Sequence, residues 1–77
     1  MTKYATYVCV FFQDHETGDT FTKFVTGLED HNVARWEAGK PAMRIAESYA
    51  KDIVFGLTLN GYAAAVIKVV DGLELKN

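Results

Sequence analysis

The feature that most constrains this 77-residue chain is the Asn60-Gly61 pair, which separates two apolar runs. Asn-Gly between alternating apolar residues is typical of a tight β-hairpin, which here would pair residues 53–59 with residues 62–68. The same pair also fits the end of a helix, because glycine readily adopts the left-handed conformation that follows the last turn. The two interpretations predict different folds, since only the hairpin makes residues 53–59 a strand.

The spacing of the apolar residues favours the helix. Within residues 42–57 they recur at helical spacing along one stripe, and charged residues occupy the opposite side. Pro41 fits the first turn of a helix, where its missing N–H is harmless. We therefore expect a helix from Pro41 to about Leu57, with Tyr62 folding back on Leu57, followed by a strand over residues 63–70.

The N-terminal region predicts an antiparallel hairpin. Residues 4–13 and 20–26 are rich in β-branched and aromatic types, and the polar turn DHETGD separates them. If Gln13 pairs with Thr20, alternate side chains fall on two faces of the sheet. One face carries Val8, Val10, Phe12, Phe21, Lys23 and Val25, and the other carries Tyr7, Cys9, Phe11, Thr22, Phe24 and Thr26.

Residues 27–40 admit two interpretations. Asp30 could cap a short helix that ends before Gly39, or the stretch NVARWE could form a short strand. We expect a connection that Trp36 anchors to the rest of the domain.

The expected fold is a single α+β domain over residues 1–77, with the order β-β-α-β and one helix on a small antiparallel sheet. The alternative is β-β-α-β-β, with the hairpin at Asn60-Gly61. One helix covers only one face of the sheet. We therefore expect the opposite face to stay uncovered unless another chain packs on it, which is typical of an interface.

Four aromatic residues are the candidate partner-binding residues. Tyr7, Phe11 and Phe24 share the sheet face that the helix leaves uncovered. Phe55 falls on the polar side of the helix, where either residues 71–77 or residues 27–40 cover it or a partner contacts it. These positions predict a surface for a protein partner or for a second copy of the chain.

Composition and charge exclude several classes of protein. Ten acidic and eight basic residues give a net charge of −2, and the basic residues are scattered, which disfavours a dominant role in binding phosphate. The single cysteine, Cys9, excludes an internal disulfide and favours a reducing, cytoplasmic setting. The apolar run at residues 7–12 is too short for a membrane span and lacks a signal-cleavage site, so we expect no membrane association.

Motifs for catalysis, cofactors and metals are not recognised. DHETGD has glycine in fifth rather than sixth place and lacks the closing glutamate of a calcium loop. AGKP at residues 38–41 lacks the hydroxyl residue that ends a phosphate loop. Cys9 has no typical nucleophile-and-base spacing to His15 or His31, so we expect a non-enzyme without catalytic residues, metal or cofactor.

A group of residues in the first half of the chain carries a family resemblance. They are Phe21-Thr22-Lys23, Val25-Thr26, Asp30, Val33 and Trp36, and one amphipathic helix and a last strand follow them. In this outline the chain resembles the Dmd family of phage antitoxins, small proteins that neutralise bacterial RNase toxins. Gaps are required near residues 31–35, and the helix ending is longer here. The resemblance implies an inhibitor that binds a protein, and it assigns no site residues.

These observations predict a small non-enzymatic module that binds a protein, in the manner of a phage-type inhibitor of a host protein or toxin. The alternative is a nucleic-acid-associated protein that stacks bases on the sheet aromatics. A steep fall of affinity with rising salt distinguishes the alternative, because phosphate binding releases counterions.

Overall fold

The computed structural model describes residues 2–29 and 33–77. Within these ranges the elements are β1 (Tyr4–Gln13), β2 (Thr20–Phe24), β3 (Gly27–Leu28), β4 (Ala34–Arg35), α1 (Glu47–Leu59) and β5 (Ala63–Val70). The main sheet is antiparallel with the order β2-β1-β5, and β3 and β4 form a separate two-stranded ribbon. The expected α+β class is confirmed, with one helix and a mostly antiparallel sheet.

The β1–β2 register agrees with the expected one. Gln13 pairs with Thr20, and the ladder continues to the pair of Cys9 and Phe24. The pattern of alternating side chains therefore sets which residues face the helix, since a shift of one residue would exchange the two faces.

The end of α1 resolves the ambiguity at Asn60-Gly61 in favour of the helix. Gly61 has a φ of 87°. Its N–H donates to the Thr58 carbonyl, and the Tyr62 N–H donates to the Leu57 carbonyl, both at 3.0 Å. These two bonds satisfy carbonyls that the last turn leaves without helical partners. The strand expected after the glycine is confirmed as β5.

The start of α1 differs from the prediction. The helix begins at Glu47 rather than at Pro41, and residues 42–46 run extended beside β1. The Ile45 N–H donates to the Thr6 carbonyl at 3.0 Å. Thr6 lies on the β2 side of β1, beyond the part of β1 that β2 covers. This pairing with β1 outweighs the helical spacing of the segment, since propensity is a weak prior against tertiary context.

The core lies between α1 and the sheet. Its buried members are Val8, Val10, Val25, Ile45, Ala50, Ile53 and Leu57. Val8, Val10 and Val25 are wholly buried. Burying such a side chain contributes roughly 1.5–3 kcal/mol relative to leaving it exposed, so this layer is a main source of stability.

Residues 71–77 connect the two edges of the sheet. Beside β5, the Asp71 N–H donates to the Lys3 carbonyl at 2.9 Å. At the other edge, the Asn77 side chain accepts from the Phe24 N–H at 2.7 Å and donates to the Phe24 carbonyl at 2.9 Å. Because β1 lies between these edges, the C-terminal segment spans the width of the sheet.

The face opposite α1 is partly covered, although the sequence predicts an open face. Ala5, Tyr7 and Cys9 alternate with the valines that contact α1, so they point away from the helix. They are nevertheless buried, and Tyr7 is only 6% exposed. We attribute this burial to residues 71–77, which span the sheet from edge to edge.

Candidate functional site

A groove of about 780 Å³ follows one flank of α1. The helix forms one wall, and residues 33–36, which include β4, form the other. The opposite flank of α1 lies over β5, where Glu47 and Lys68 form an ion pair at 2.9 Å. The helix therefore sits towards the β5 side of the sheet, and the groove opens on its other side.

The helix wall follows from residue spacing. Residues three and four apart share one flank of a helix. Tyr49, Asp52, Gly56 and Asn60 line the groove at this spacing, and the core residues Ile53 and Leu57 also contribute to its lining. Gly56 leaves space on this wall, because a Cβ atom built there would meet nothing within 4 Å.

Four aromatic rings support the groove at the end near the β1–β2 hairpin. The Trp36 and Tyr62 rings meet edge to face with their centroids 5.1 Å apart. Phe12 lies 5.7 Å from Trp36 and 6.4 Å from Tyr62, and it stacks on Phe21 at 5.4 Å. Such pairs add about 0.5–1.5 kcal/mol each beyond their buried area, so the wall formed by Trp36 and Tyr62 is preorganised.

The groove is lined by polar as well as apolar groups and contains a single charged group. Asp52 is the one charged residue among the described residues that line it. In the described part of the chain Asp52 forms no ion pair, whereas the Asn60 side chain donates to the Gly56 carbonyl at 2.9 Å. A ligand with an apolar body and one cationic group complements this arrangement.

Exposed apolar side chains continue outwards from the groove. Phe55 is 66% exposed and Leu59 is 72% exposed. The two are four residues apart on α1, so they are neighbours on its outer side, and each lies within one turn of Gly56. Neither residues 71–77 nor the described part of residues 27–40 covers Phe55. We call the groove together with these two neighbouring side chains the helix surface.

The structure does not bring the four predicted binding residues together. Phe55 lies on the helix surface, whereas Tyr7, Phe11 and Phe24 belong to the sheet face opposite α1. Tyr7 is buried, Phe24 is half-buried with its backbone bonded to Asn77, and Phe11 is 46% exposed near the hairpin. The two faces are therefore separate candidate surfaces.

Sequence reasoning missed the aromatic wall as a unit. It anchored the 27–40 connection on Trp36, placed Phe12 and Phe21 on the helix face, and placed Tyr62 against the helix end. Taken together, these separate expectations could have predicted the aromatic wall. The rings meet where the hairpin, the connection and the helix end converge. What the sequence lacks is the position of β4 relative to α1.

Cys9 has the properties of a structural thiol. Its Sγ donates to the Ala65 carbonyl at 3.7 Å, and the side chain is buried. Burial raises the pKa of the Cys9 thiol, and backbone hydrogen bonding at Ala65 and at Cys9 itself only partly opposes this shift. At neutral pH the thiol is protonated, whereas a nucleophile needs the thiolate.

In the acidic turn, the Asp14 side chain forms hydrogen bonds to the backbone. One carboxylate oxygen of Asp14 accepts from the N–H groups of Glu16 and Thr17 at 2.8 and 3.2 Å. Within residues 2–29 and 33–77 no three His, Cys, Asp or Glu side chains converge as metal ligands. Asp30, the expected helix cap, and His31 lie outside the described residues.

Several basic side chains already have acidic partners. Arg35 pairs with Glu29 and Glu37, and Arg44 pairs with Asp71 at 3.2 Å. These pairs are exposed and contribute little to stability, but they reduce the positive potential that phosphate groups would meet.

Comparisons of the chain with models of protein families, with curated proteins and with solved structures found no match. The resemblance to the Dmd antitoxins is therefore still a prediction. In the described part of the chain, no helix combines the length and apolar character needed to cross a membrane.

Proposed function

We propose that this protein is a non-enzymatic module that binds another protein through the helix surface and thereby inhibits it. The observation that carries the proposal is the pair of exposed side chains Phe55 and Leu59 beside a preorganised aromatic groove. Contiguous exposed apolar area on a small protein is typical of an interaction site. The resemblance to phage antitoxins supports an inhibitor of a host protein or toxin.

The groove suggests the chemistry of the partner. Trp36 and Tyr62 offer ring faces and edges, and Asp52 offers one negative charge. We expect the partner to insert an aliphatic side chain and to place a lysine or arginine near Asp52. Stacking on an aromatic ring and pairing with a carboxylate both favour such a cation.

Gly56 allows a direct test of the groove. Gly56→Leu places a side chain in the groove without a backbone clash, and Gly56→Ala is the matched control because its Cβ meets nothing. Peptides selected from a random library on the wild-type protein should be rich in an aliphatic residue next to lysine or arginine. They should bind the alanine variant and lose at least about tenfold in affinity for the leucine variant. Equal binding to both variants contradicts the proposal.

Phe55 separates binding from folding. Because Phe55 is mostly exposed, Phe55→Glu should change the free energy of unfolding by less than about 1 kcal/mol. The same substitution should weaken binding of the protein partner, because it removes an apolar contact. Urea unfolding and a binding titration measure the two effects. A loss of several kcal/mol in stability would show instead that Phe55 supports the fold.

The nucleic-acid alternative has its own readout. Labelled single-stranded RNA and DNA can be titrated with the protein at low and at moderate salt. Tight binding that falls steeply with salt and is lost in Phe11→Ser would replace the proposed function, since Phe11 is an exposed aromatic side chain of the sheet.

A further inference from the structure

The outer edge of β5 is open. Among residues 2–29 and 33–77 the sheet ends with β5, so this strand pairs there on one side only, with β1. Its sequence, AAAVIKVV, contains no proline and one charged residue, Lys68. Edge strands usually carry prolines, charges or bulges that prevent pairing with another strand, and β5 carries little of this protection.

The backbone groups at this edge follow from the bonds of β1. The carbonyls of Thr6 and Val8 accept hydrogen bonds on the β2 side of β1. In an antiparallel ladder, alternate residues direct both backbone groups to the same side. The odd-numbered residues of β1 therefore bond to β5, and their partners there are Ala63, Ala65, Ile67 and Val69.

The backbone groups of the remaining β5 residues point towards the open edge of the sheet. By the same alternation, Ala64, Val66, Lys68 and Val70 direct their N–H and C=O groups to the open edge. Within the described residues, the one bond to these groups comes from the Leu73 N–H, which donates to the Val70 carbonyl at 3.3 Å. The edge thus presents a row of donors and acceptors that fits one more strand.

We propose that the occupant is β5 of a second copy of this chain, paired antiparallel about a two-fold axis at Ile67. In this register Val66 pairs with Lys68 of the second copy, and Ala64 pairs with Val70 of the second copy. Residues 64–70 of each copy take part, and the outward groups make about eight interstrand hydrogen bonds.

The side chains favour this register. Lys68 faces a valine rather than another lysine, so the like-charge contact that would destabilise the ladder is avoided. The two Ile67 side chains meet at the axis in a pair without hydrogen bonds, where Cα atoms approach to about 4.5 Å. An identical edge therefore supplies both the hydrogen bonds and the apolar contact.

The helices fit the same arrangement. The Glu47–Lys68 ion pair places that flank of α1 over β5, and Lys51, Val54 and Thr58 follow on the flank at helical spacing. Strands in the joined sheet are about 4.8 Å apart. The two helices then lie side by side on the same face, because the two-fold axis is perpendicular to the sheet. The resulting dimer has a continuous six-stranded sheet with both helices on one face.

Lys68→Pro tests the pairing with a matched control. The Lys68 N–H points outwards, so proline removes a donor from the open edge and none from the β1–β5 ladder. Lys68→Ala loses the same ion pair but keeps the N–H. Sedimentation velocity should show dimers for wild type and Lys68→Ala. For Lys68→Pro we expect a dissociation constant raised at least about tenfold, since two hydrogen bonds per dimer are lost.

Amide exchange in the wild-type protein gives a second reading that does not depend on a variant. The outward amides of Ala64, Val66 and Lys68 should be protected at high protein concentration and exchange fast on dilution. The inward amides of Ala65 and Ile67 should stay protected throughout. A protein that is monomeric at every concentration, or a dimer whose outward amides exchange fast, overturns the proposal. A dimer that Phe11→Ser dissociates, with Lys68→Pro unchanged, also overturns it by moving the interface to the sheet face.

Discussion

The two edges of the main sheet are treated in opposite ways. At the β2 edge, the Asn77 side chain occupies the backbone groups of Phe24, and residues 42–46 continue the pairing of β1. At the β5 edge, the outward groups of the strand have almost no partner among the described residues. The closed edge needs pieces from distant parts of the chain, whereas the open edge can be recognised from the strand itself.

Of the changes that test this difference between the two edges, removing residues 72–77 should have the largest effect on stability. The deletion opens the β2 edge and removes the segment to which we attribute the burial of Tyr7 and Cys9. We expect a loss of at least about 3 kcal/mol in the free energy of unfolding, from uncovered apolar area and unpaired backbone groups. Urea unfolding measures the loss, and the rate of Cys9 alkylation should rise. Unchanged stability with slow alkylation would show that another segment covers this face.

Asn77→Ala is a smaller version of the same experiment. The side chain makes three hydrogen bonds to backbone groups, two with Phe24 and one to the Glu37 carbonyl at 3.1 Å. Their loss should cost about 1–3 kcal/mol, because the Phe24 groups are left unsatisfied in a half-buried position. Lys76→Ala, an exposed neighbour, is the control and should stay within about 0.5 kcal/mol. Equal effects of the two substitutions would mean that the edge is not closed by Asn77.

Substitution in the turn that leads into β5 should have the next largest effect on stability. Gly61 has a φ of 87°, so Gly61→Ala should destabilise by about 1–2 kcal/mol. Gly56→Ala, in the middle of α1, should instead stabilise by about 0.5–1 kcal/mol, because alanine has less conformational freedom to lose. Thermal or chemical unfolding of the two variants checks the opposite signs. Matching signs would indicate that the helix does not end at Gly61 in solution.

The ion pair on the β5 side should give the smallest effect. A hydrogen bond from Lys68, together with its positive charge, lowers the pKa of Glu47 below its ordinary value. The contribution is therefore present above the usual glutamate pKa and is lost as the pH falls through the lowered value. Because Glu47 is exposed to solvent, we expect only a slightly steeper acid dependence of unfolding in wild type than in Lys68→Ala, and a smaller difference at high salt. A steeper dependence in the variant would contradict this assignment.

The sequence predicts the parts of the fold that depend on local pattern. Alternation and an acidic turn define the β1–β2 register, and Asn60-Gly61 with Tyr62 defines the end of α1. The predicted start of α1 at Pro41 was wrong, because Met43 and Ile45 fit both a helical stripe and the two-residue alternation of an extended segment. Only the position of β1 decides between these patterns, through the bond of Ile45 to Thr6.

The candidate site shows the same division. Phe55 is recognisable as an apolar residue on a polar helix flank, and its exposure follows from the helix alone. The groove depends on where residues 33–36 lie relative to α1. The burial of Tyr7, which we attribute to residues 71–77, depends on a segment far from β1 in sequence. Both features depend on packing between segments far apart in sequence, so no local spacing of residues predicts them.

The position of β1 at the centre of the sheet has a consequence for the order of folding. Its pairing with β2 is local, whereas its ladder from Tyr4 to Phe11 joins β5, from Val70 to Ala63, after nearly the whole chain has intervened. Non-local pairing of this kind slows folding, because the loop must close before the contacts form. A folding intermediate in which the β1–β2 hairpin is formed therefore leaves the β5 side of β1 vacant. At high protein concentration, β5 of another molecule can occupy that place, which makes strand exchange between copies the misfolding route that this topology favours.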